Sequence, residues 1–282
     1  MKTYLDCLPC FLNQALRAGR MVTHDEMKLK KILDEVAMMV KDIPLENTPP
    51  ETGDIIYQKV REISNESNPY QIIKQKNIKE ALSLYPSLKE IVRKSNDSLL
   101  CAIRFAIAGN VIDLGVNKKF NINKEINEIL RKRFAIFDYK KFKELLAHSE
   151  EILYIGDNAG EAVFDRILIE EMKRPVTYVV RGVPVINDVT YGDAVKAGID
   201  KVATIVSSET SAPGLILKTC STEFIRIFEK ARFIISKGQG NYEGLSNEKY
   251  PIFFLLKAKC WIIANDLGVD EGDIILKGNF KN

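Results

Sequence analysis

Histidine is almost absent from this 282-residue chain, which has only His24 and His148. Both sit among charged, helix-forming neighbours, where a solvated side chain is expected. So few imidazoles exclude a zinc site built on two or three histidines, and they disfavour a Ser-His-Asp triad, which needs one histidine held by a third group. Chemistry here must run on carboxylates, amides, lysine, cysteine or a hard metal. Long hydrophobic runs are missing too. No stretch of about 18 uncharged apolar residues occurs, and Asp6 and Pro9 interrupt what would be the apolar part of a leader, so a cytoplasmic protein with no membrane contact is expected. Net charge is small: 41 Lys and Arg against 38 Asp and Glu leave +3. That balance does not suit salt-dependent binding to a phosphate backbone, so no nucleic-acid partner is expected. Five cysteines, an odd number in a long chain, argue against an oxidised extracellular framework.

What is present is ordinary globular composition, 46% apolar and 28% charged, with enough length for one large domain or two ordinary ones. From residue 1 to about 148 the apolar residues recur at spacings of three and four, as in Ile32-Leu33-Val36-Met39-Val40 and Phe142-Leu145-Leu146. That spacing predicts a part that is nearly all helix. Leu99 to Ile107 is apolar on nearly every face, which predicts a central buried helix ending at Gly109-Asn110. After Glu151 short β-branched and aromatic runs alternate with amphipathic segments. Strand-helix alternation of that kind implies an α/β fold, a three-layer α/β/α domain with a mainly parallel, doubly wound sheet. The apolar runs at 251–265 and 272–278 are expected to extend it. The boundary is placed at 148: a helical part at 1–148 and an α/β/α metal- and phosphate-binding domain at 149–282. No flexible linker marks the join, so the two are expected to pack tightly.

In an open parallel sheet ligands bind beyond the carboxyl ends of the strands. The first strand after Glu151 runs into GDNAGE at 156–161, the next is followed by Arg181 and then NDVT at 187–190, and another delivers Ser236-Lys237-Gly238 with Asn241 and Tyr242 beyond. Asp157, Asn158 and Asp188 offer three oxygen ligands suited to a hard divalent ion such as magnesium or manganese. Lys237 and the N–H groups at Gly160 and Gly238 suit an anion such as phosphate. Each segment alone reads as a turn with a helix cap, because Asp, Asn and Thr are common caps. Three such strand ends on one edge favour a phosphate-ester site.

With these segments the sequence resembles the damage-control phosphatase family, first catalogued as domain of unknown function eighty-nine. The resemblance rests on GDNAGE at 156–161, RGVPVINDVTYGDA at 181–194, SKGQGNYE at 236–243, AGNVID at 108–113, and CLPC at 7–10, which marks a microbial branch with an N-terminal cysteine pair. It implies divalent-metal-dependent hydrolysis of phosphate monoesters, typically sugar phosphates or damaged phosphometabolites, with magnesium, manganese, cobalt or nickel. The family's metal ligands match Asp157, Asn158 and Asp188, and its phosphate-contacting lysine matches Lys237, so Asp157 and Lys237 are the catalytic pair. Asn110 and Asp113 match positions that approach the site from the helical part. Glu161, Arg181, Asp193 and Asn241 complete the expected substrate contacts. Ala159 replaces the second aspartate of a haloacid-dehalogenase-type DxD, which favours water over Asp157 as nucleophile. Gln239 stands where branches differ, which bears on the substrate.

Rival readings are weaker. A non-catalytic phosphometabolite-binding or regulatory protein would keep the phosphate site without turnover. A carboxyl methyltransferase, described for part of the family, usually needs a Gly-rich first turn, and the acidic GDNAGE would repel the cofactor carboxylate. Cys220 and Arg226 have cysteine-phosphatase spacing, but STEFIRIFEKA reads as an N-capped amphipathic helix without the glycine such a loop needs. GQGNYEG has the wrong glycine spacing for a dinucleotide turn and no good helix after it. CLPC has too few residues before it for a redox fold, which leaves an accessory metal or regulatory role beside simple packing of a helix start. Cys260 and Trp261 are expected in the core. The partner is a small phosphorylated metabolite, and a homo-oligomer is left open.

Overall fold

Helix signals dominate the first half, and the computed structural model, which describes residues 1–109 and 122–280, places six helices there: α1 (Cys7–Val22), α2 (Glu26–Val40), α3 (Pro49–Ser64), α4 (Gln71–Lys94), α5 (Ser98–Ala108) and α6 (Ile122–Arg131). Local chemistry sets several starts. The Asp25 carboxylate accepts from the N–H groups of Met27 and Lys28 ahead of α2. Thr48 and Glu51 form a capping box at α3, with Pro49 at its first position, where a missing N–H costs nothing. The apolar run forecast as a buried helix is α5, with Cys101, Ala102, Ile103 and Phe105 to Ala108 buried, and Gly109 caps it.

A seven-stranded sheet follows: β1 (Phe134–Phe137), β2 (Ile152–Ile155), β3 (Val176–Val180), β4 (Thr204–Ser207), β5 (Ile234–Lys237), β6 (Ile252–Lys257) and β7 (Ile274–Asn279). The spatial order is β1-β7-β6-β5-β2-β3-β4. Every pairing is parallel except β6 with β7. The helices between strands are α7 (Tyr139–His148), α8 (Ala162–Met172), α9 (Tyr191–Ala197), α10 (Thr222–Lys230), α11 (Gly238–Leu245) and α12 (Trp261–Leu267). The central strands are buried on both faces, which is why they read as continuous apolar runs rather than alternating ones.

Side chains of alternate parity feed two cores. On one face Tyr154, Tyr178, Ile235 and Phe253 pack with Phe105 of α5 and Phe164 and Leu168 of α8. On the other Ile155, Val179, Ile234 and Phe254 pack with Phe224, Tyr242 and Ile263 of α10, α11 and α12. Helices α4 and α5 share the first core with the sheet, while α1, α2 and α3 form a third cluster that reaches Val185. From β2 the chain moves outward through β3 and β4, then returns to lay β5 on the other side of β2. The winding direction reverses between β2 and β5, and the crevice outside their carboxyl ends is where such folds bind ligands.

Three local expectations need correction. β1 lies inside the stretch expected to be nearly all helix; four residues are too few to carry a period, and pairing with β7 decides their conformation. A helix does follow Lys237. Two of its glycines face neighbouring backbone, since a Cβ at Gly240 would stand 2.2 Å from the Pro213 carbonyl oxygen and one at Gly244 2.2 Å from that of Leu215. Close packing, not helix propensity, explains the composition of α11. Trp261 is 51% exposed, because the short α12 buries Ile262, Ile263, Ala264 and Leu267 instead. No described helix is long and apolar enough to cross a membrane. Both histidines are exposed.

Candidate active site

The loops after β2 and β3 are laced together by backbone hydrogen bonds. Val189 N–H donates to the Asp157 carbonyl at 2.8 Å, Ala159 N–H to Asn187 at 2.9 Å, and Arg181 N–H to Val189 at 3.0 Å. Asn158 and Asp188 form an isolated antiparallel bridge. Asp157, Asn158 and Asp188, thirty residues apart in sequence, therefore sit on adjacent backbone. Thr190 and Asp193 form a capping box at α9, so Asp193 does the capping work that its sequence context suggested.

Below this loop pair lies the charged centre of the protein. Among the described residues the buried charged side chains are Asp157, Glu161, Asp165, Asp188 and Asp193 with Lys74, Arg181 and Lys237. Arg181 is wholly buried and donates through Nε to Asp188 Oδ2 at 2.8 Å and through Nη2 to Asn241 Oδ1 at 2.9 Å. Asn241 in turn donates to the carbonyls of Lys237 at 2.7 Å and Gly156 at 3.0 Å, tying the ends of β2 and β5. Lys237 Nζ lies 2.7 Å from Asp165 Oδ1 and 3.1 Å from Glu161 Oε2. Asp165 also accepts from the hydroxyls of Tyr154 at 2.7 Å and Tyr178 at 2.9 Å. Asn158 donates to Glu161 and, at 3.2 Å, to Asp157 Oδ2. Lys74, reaching in from α4, pairs with Asp193.

Five carboxyl groups against three cations leave this cluster short of positive charge. Burial accordingly pushes Asp157 and Glu161 above the ordinary carboxylate range, with Lys237 among the charges that partly offset it. Asp188 is likewise raised by burial, and its partner Arg181 pulls it back only in part. Burial alone would lower Lys237, but Asp165 and Glu161 hold its proton more firmly than usual. Nη1 of the buried Arg181 has no hydrogen-bond partner, and neither does Ser236 Oγ beside Lys237; an orphaned buried donor is costly unless a ligand meets it.

The structure thus brings together eight of the residues singled out in the sequence: Asp157, Asn158, Glu161, Arg181, Asp188, Asp193, Lys237 and Asn241. Asn110 and Asp113 lie outside the described residues. Sequence reasoning missed Asp165 and Lys74, which balance charge beneath the site. It also missed Lys259 in the loop after β6. Lys259 is exposed, its N–H donates to Gln239 Oε1 at 3.1 Å, and its charge acts on Asp157 and Glu161. The available signal was a basic pair, Lys257 and Lys259, just after an apolar run of strand length.

A hard divalent ion fits this donor set. Two carboxylates and an amide oxygen converge on adjacent backbone, in a buried cluster with an excess of carboxylates that a dication would neutralise. No group of three His, Cys, Asp or Glu positioned to hold a metal is found among the described residues, so Asn158 is needed to complete three protein ligands.

Residues 3–275 match the profile of the Damage-control phosphatase ARMT1-like domain. An uncharacterised protein of Methanocaldococcus jannaschii is 36% identical, over 96% of this chain and 93% of that one. A damage-control phosphatase of Pyrococcus horikoshii is 34% identical over 100% of both chains, and one of Archaeoglobus fulgidus is 34% identical over 96% and 97%. A crystal structure of a Pyrococcus horikoshii DUF89 family protein superposes with a TM-score of 0.91 at 34% identity, over 99% of both chains.

Proposed function

The chain belongs to the damage-control phosphatase family with the ARMT1-like domain, and from that premise we propose that it is a cytoplasmic, divalent-metal-dependent phosphatase. It hydrolyses phosphate monoesters of small metabolites, sugar phosphates or damaged phosphometabolites, with water as the nucleophile. One observation carries the reading: the excess of buried carboxylates gathers at the switch-point crevice around Asp157, Asn158 and Asp188. A cluster of that charge, in the place where this fold binds ligands, suits a dication and the phosphate it escorts.

Asp157, Asn158 and Asp188 would hold the ion. When bound, it supplies Lewis-acid polarisation of a phosphoryl oxygen and lowers the pKa of a water molecule. Arg181 holds Asp188 in place through Nε and keeps Nη1 for an oxygen of the substrate. Lys237 sits on Glu161 and Asp165 at rest, and on substrate binding it exchanges Glu161 for a phosphoryl oxygen, neutralising charge that develops in the transition state. Asn241 fixes the spacing of the two strand ends by bonding to both. Exposed Lys259 receives the incoming phosphate at the rim. Ala159 in place of a second aspartate leaves no carboxylate at the general-acid position of a phosphoaspartyl mechanism, which supports direct attack by water.

The test is release of phosphate from p-nitrophenyl phosphate and from a panel of phosphorylated metabolites with magnesium, manganese, cobalt or nickel, and with chelator. Turnover that appears with metal and disappears with chelator is expected. Substrate binding with no turnover under any ion would make the protein a non-catalytic binder.

A further inference from the structure

The cysteine pair at 7 and 10 is not used by the reaction above. Cys7 is the first residue of α1 and Cys10 stands one turn on. With a rise of about 1.5 Å per residue and a Cα radius of about 2.3 Å, positions i and i+3 of a helix lie about 5 Å apart. Disulfides need Cα separations of about 4.4–6.8 Å, so the Cα spacing of this pair is within range, and a small shift of the first helical turn brings the Cβ atoms together. A thioredoxin-like strand ahead of the motif is unnecessary, because the helix start alone supplies the spacing.

The surroundings separate the two thiols. Cys10 is exposed, whereas Cys7 is half-buried, and burial raises the Cys7 thiol. Glu243, Cys10 and Cys260 are the acidic groups near enough to act on Cys7 when ionised. Glu243 is also within electrostatic reach of Asp157 and Lys259. Gln239 links the same groups by donating to Glu243 at 2.9 Å and to Cys260 Sγ at 3.6 Å. It follows Gly238, which abuts Asp157. Cys7 is therefore within electrostatic reach of Glu243, which Gln239 ties to the strand end that carries Gly238. Among the described residues no three of these groups stand where they could share an ion, which favours pair chemistry over a soft metal.

We propose that Cys7 and Cys10 form a reversible dithiol–disulfide couple that exchanges with small-molecule disulfides. The Cys10 thiolate attacks one sulfur of the small disulfide, forming a mixed disulfide and expelling the first small thiolate. The Cys7 thiolate then attacks the Cys10 sulfur, closing the protein disulfide and expelling the second. Two protein thiols are oxidised by two electrons, the small disulfide is reduced to two thiols, and the two protons end on those products. Cys101 is buried, and burial pushes the Cys220 thiol up to about 12, so neither competes. The link from this couple to turnover rests on the phosphatase reading: closing the disulfide alters the environment of Glu243 and, through Gln239, of Lys259.

The full-length reduced protein is equilibrated with graded mixtures of reduced and oxidised glutathione, trapped with alkylating agent and mapped by peptide mass. The expected product is a Cys7–Cys10 disulfide reversed by dithiothreitol, with Cys101, Cys220 and Cys260 alkylated. Cys7→Ser should accumulate the glutathione mixed disulfide at Cys10, and Cys10→Ser should leave Cys7 a thiol. Only mixed disulfide in the wild type, or no oxidation of the folded protein, would overturn the couple. In parallel, kcat/KM on p-nitrophenyl phosphate should differ about fivefold or more between the two states, the scale of a modest coupling. The Cys7→Ser, Cys10→Ser double variant should hold the value of the reduced wild type in both buffers. Equal kcat/KM in both states overturns the link to turnover. Absence of turnover in either state sinks the phosphatase reading while the mass map still decides the couple.

Discussion

Gly238 leaves the space that Asp157 occupies: a Cβ at residue 238 would stand 1.9 Å from Asp157 Oδ2 and 2.3 Å from its Cγ. The backbone of Gly238 also has φ +78°, a region that costs other residues roughly 1–2 kcal/mol. The end of β5 is thus shaped around a carboxylate at the end of β2. Gly238→Ala is expected to displace Asp157 and lower kcat/KM by about 100-fold or more, on the scale of losing one electrostatic group, while the circular dichroism spectrum stays native. Wild-type turnover in that variant would show that Asp157 has no fixed role.

Asp157→Ala should abolish turnover in a folded protein. For Asp188 the cleaner variant is Asp188→Asn, since alanine would strand the buried Arg181 guanidinium, a loss of about 3–5 kcal/mol. Both variants should also lose the rise in melting temperature that magnesium or manganese gives the wild type, because only an ion bound to the native state stabilises it. Near-wild-type turnover in folded Asp157→Ala contradicts the assignment.

Lys237→Ala is expected to lower kcat/KM by about 100-fold or more. It should also lower the melting temperature, because Glu161 and Asp165 lose their shared cation in a buried site. If metal affinity fell while turnover at saturating metal stayed normal, Lys237 would belong to charge balance alone.

Lys259→Ala should raise KM for phosphate monoesters more than it lowers kcat, with Lys259→Arg recovering much of the loss, because the rim cation captures phosphate before the chemical step. An unchanged KM in the alanine variant argues against a rim contact.

Burial raises the Glu243 carboxyl from 4.5 to about 7. A carboxyl that is harder to ionise in the native state contributes stability that is complete below its unfolded pKa and lost as pH rises through its native value. Glu243→Gln, which cannot ionise, should therefore match the wild type near pH 4 and gain on it progressively up to about pH 7. Melting curves across that range would refute this if the difference stayed constant.

How much of this was legible beforehand differs from element to element. The all-round apolarity of α5 and the continuous apolar runs of β2, β3 and β5 are local properties, since the length of each run and the turn residues that bound it mark a fully buried helix or strand. The polar residues that end those strands could be read as one ligand-binding edge, because parallel α/β sheets present all such ends on the same side. Sequence therefore determined the fold class and picked out Asp157, Asn158, Asp188 and Lys237 as side chains at one end of the sheet. Tertiary structure alone decided the rest. That β1 pairs with β7, that Trp261 faces out, and that Gly240 and Gly244 in α11 serve close backbone contact all depend on partners far along the chain. Asp165 and Lys74 lie in helical segments where nothing local marks them as buried, and packing alone puts them beneath the site. The charge balance of that centre was likewise invisible in the near-neutral total, because a buried charge is set by neighbours brought together from separate stretches at 74, 157–165, 181–193 and 237, and sequence order carries no record of which of them lose water together.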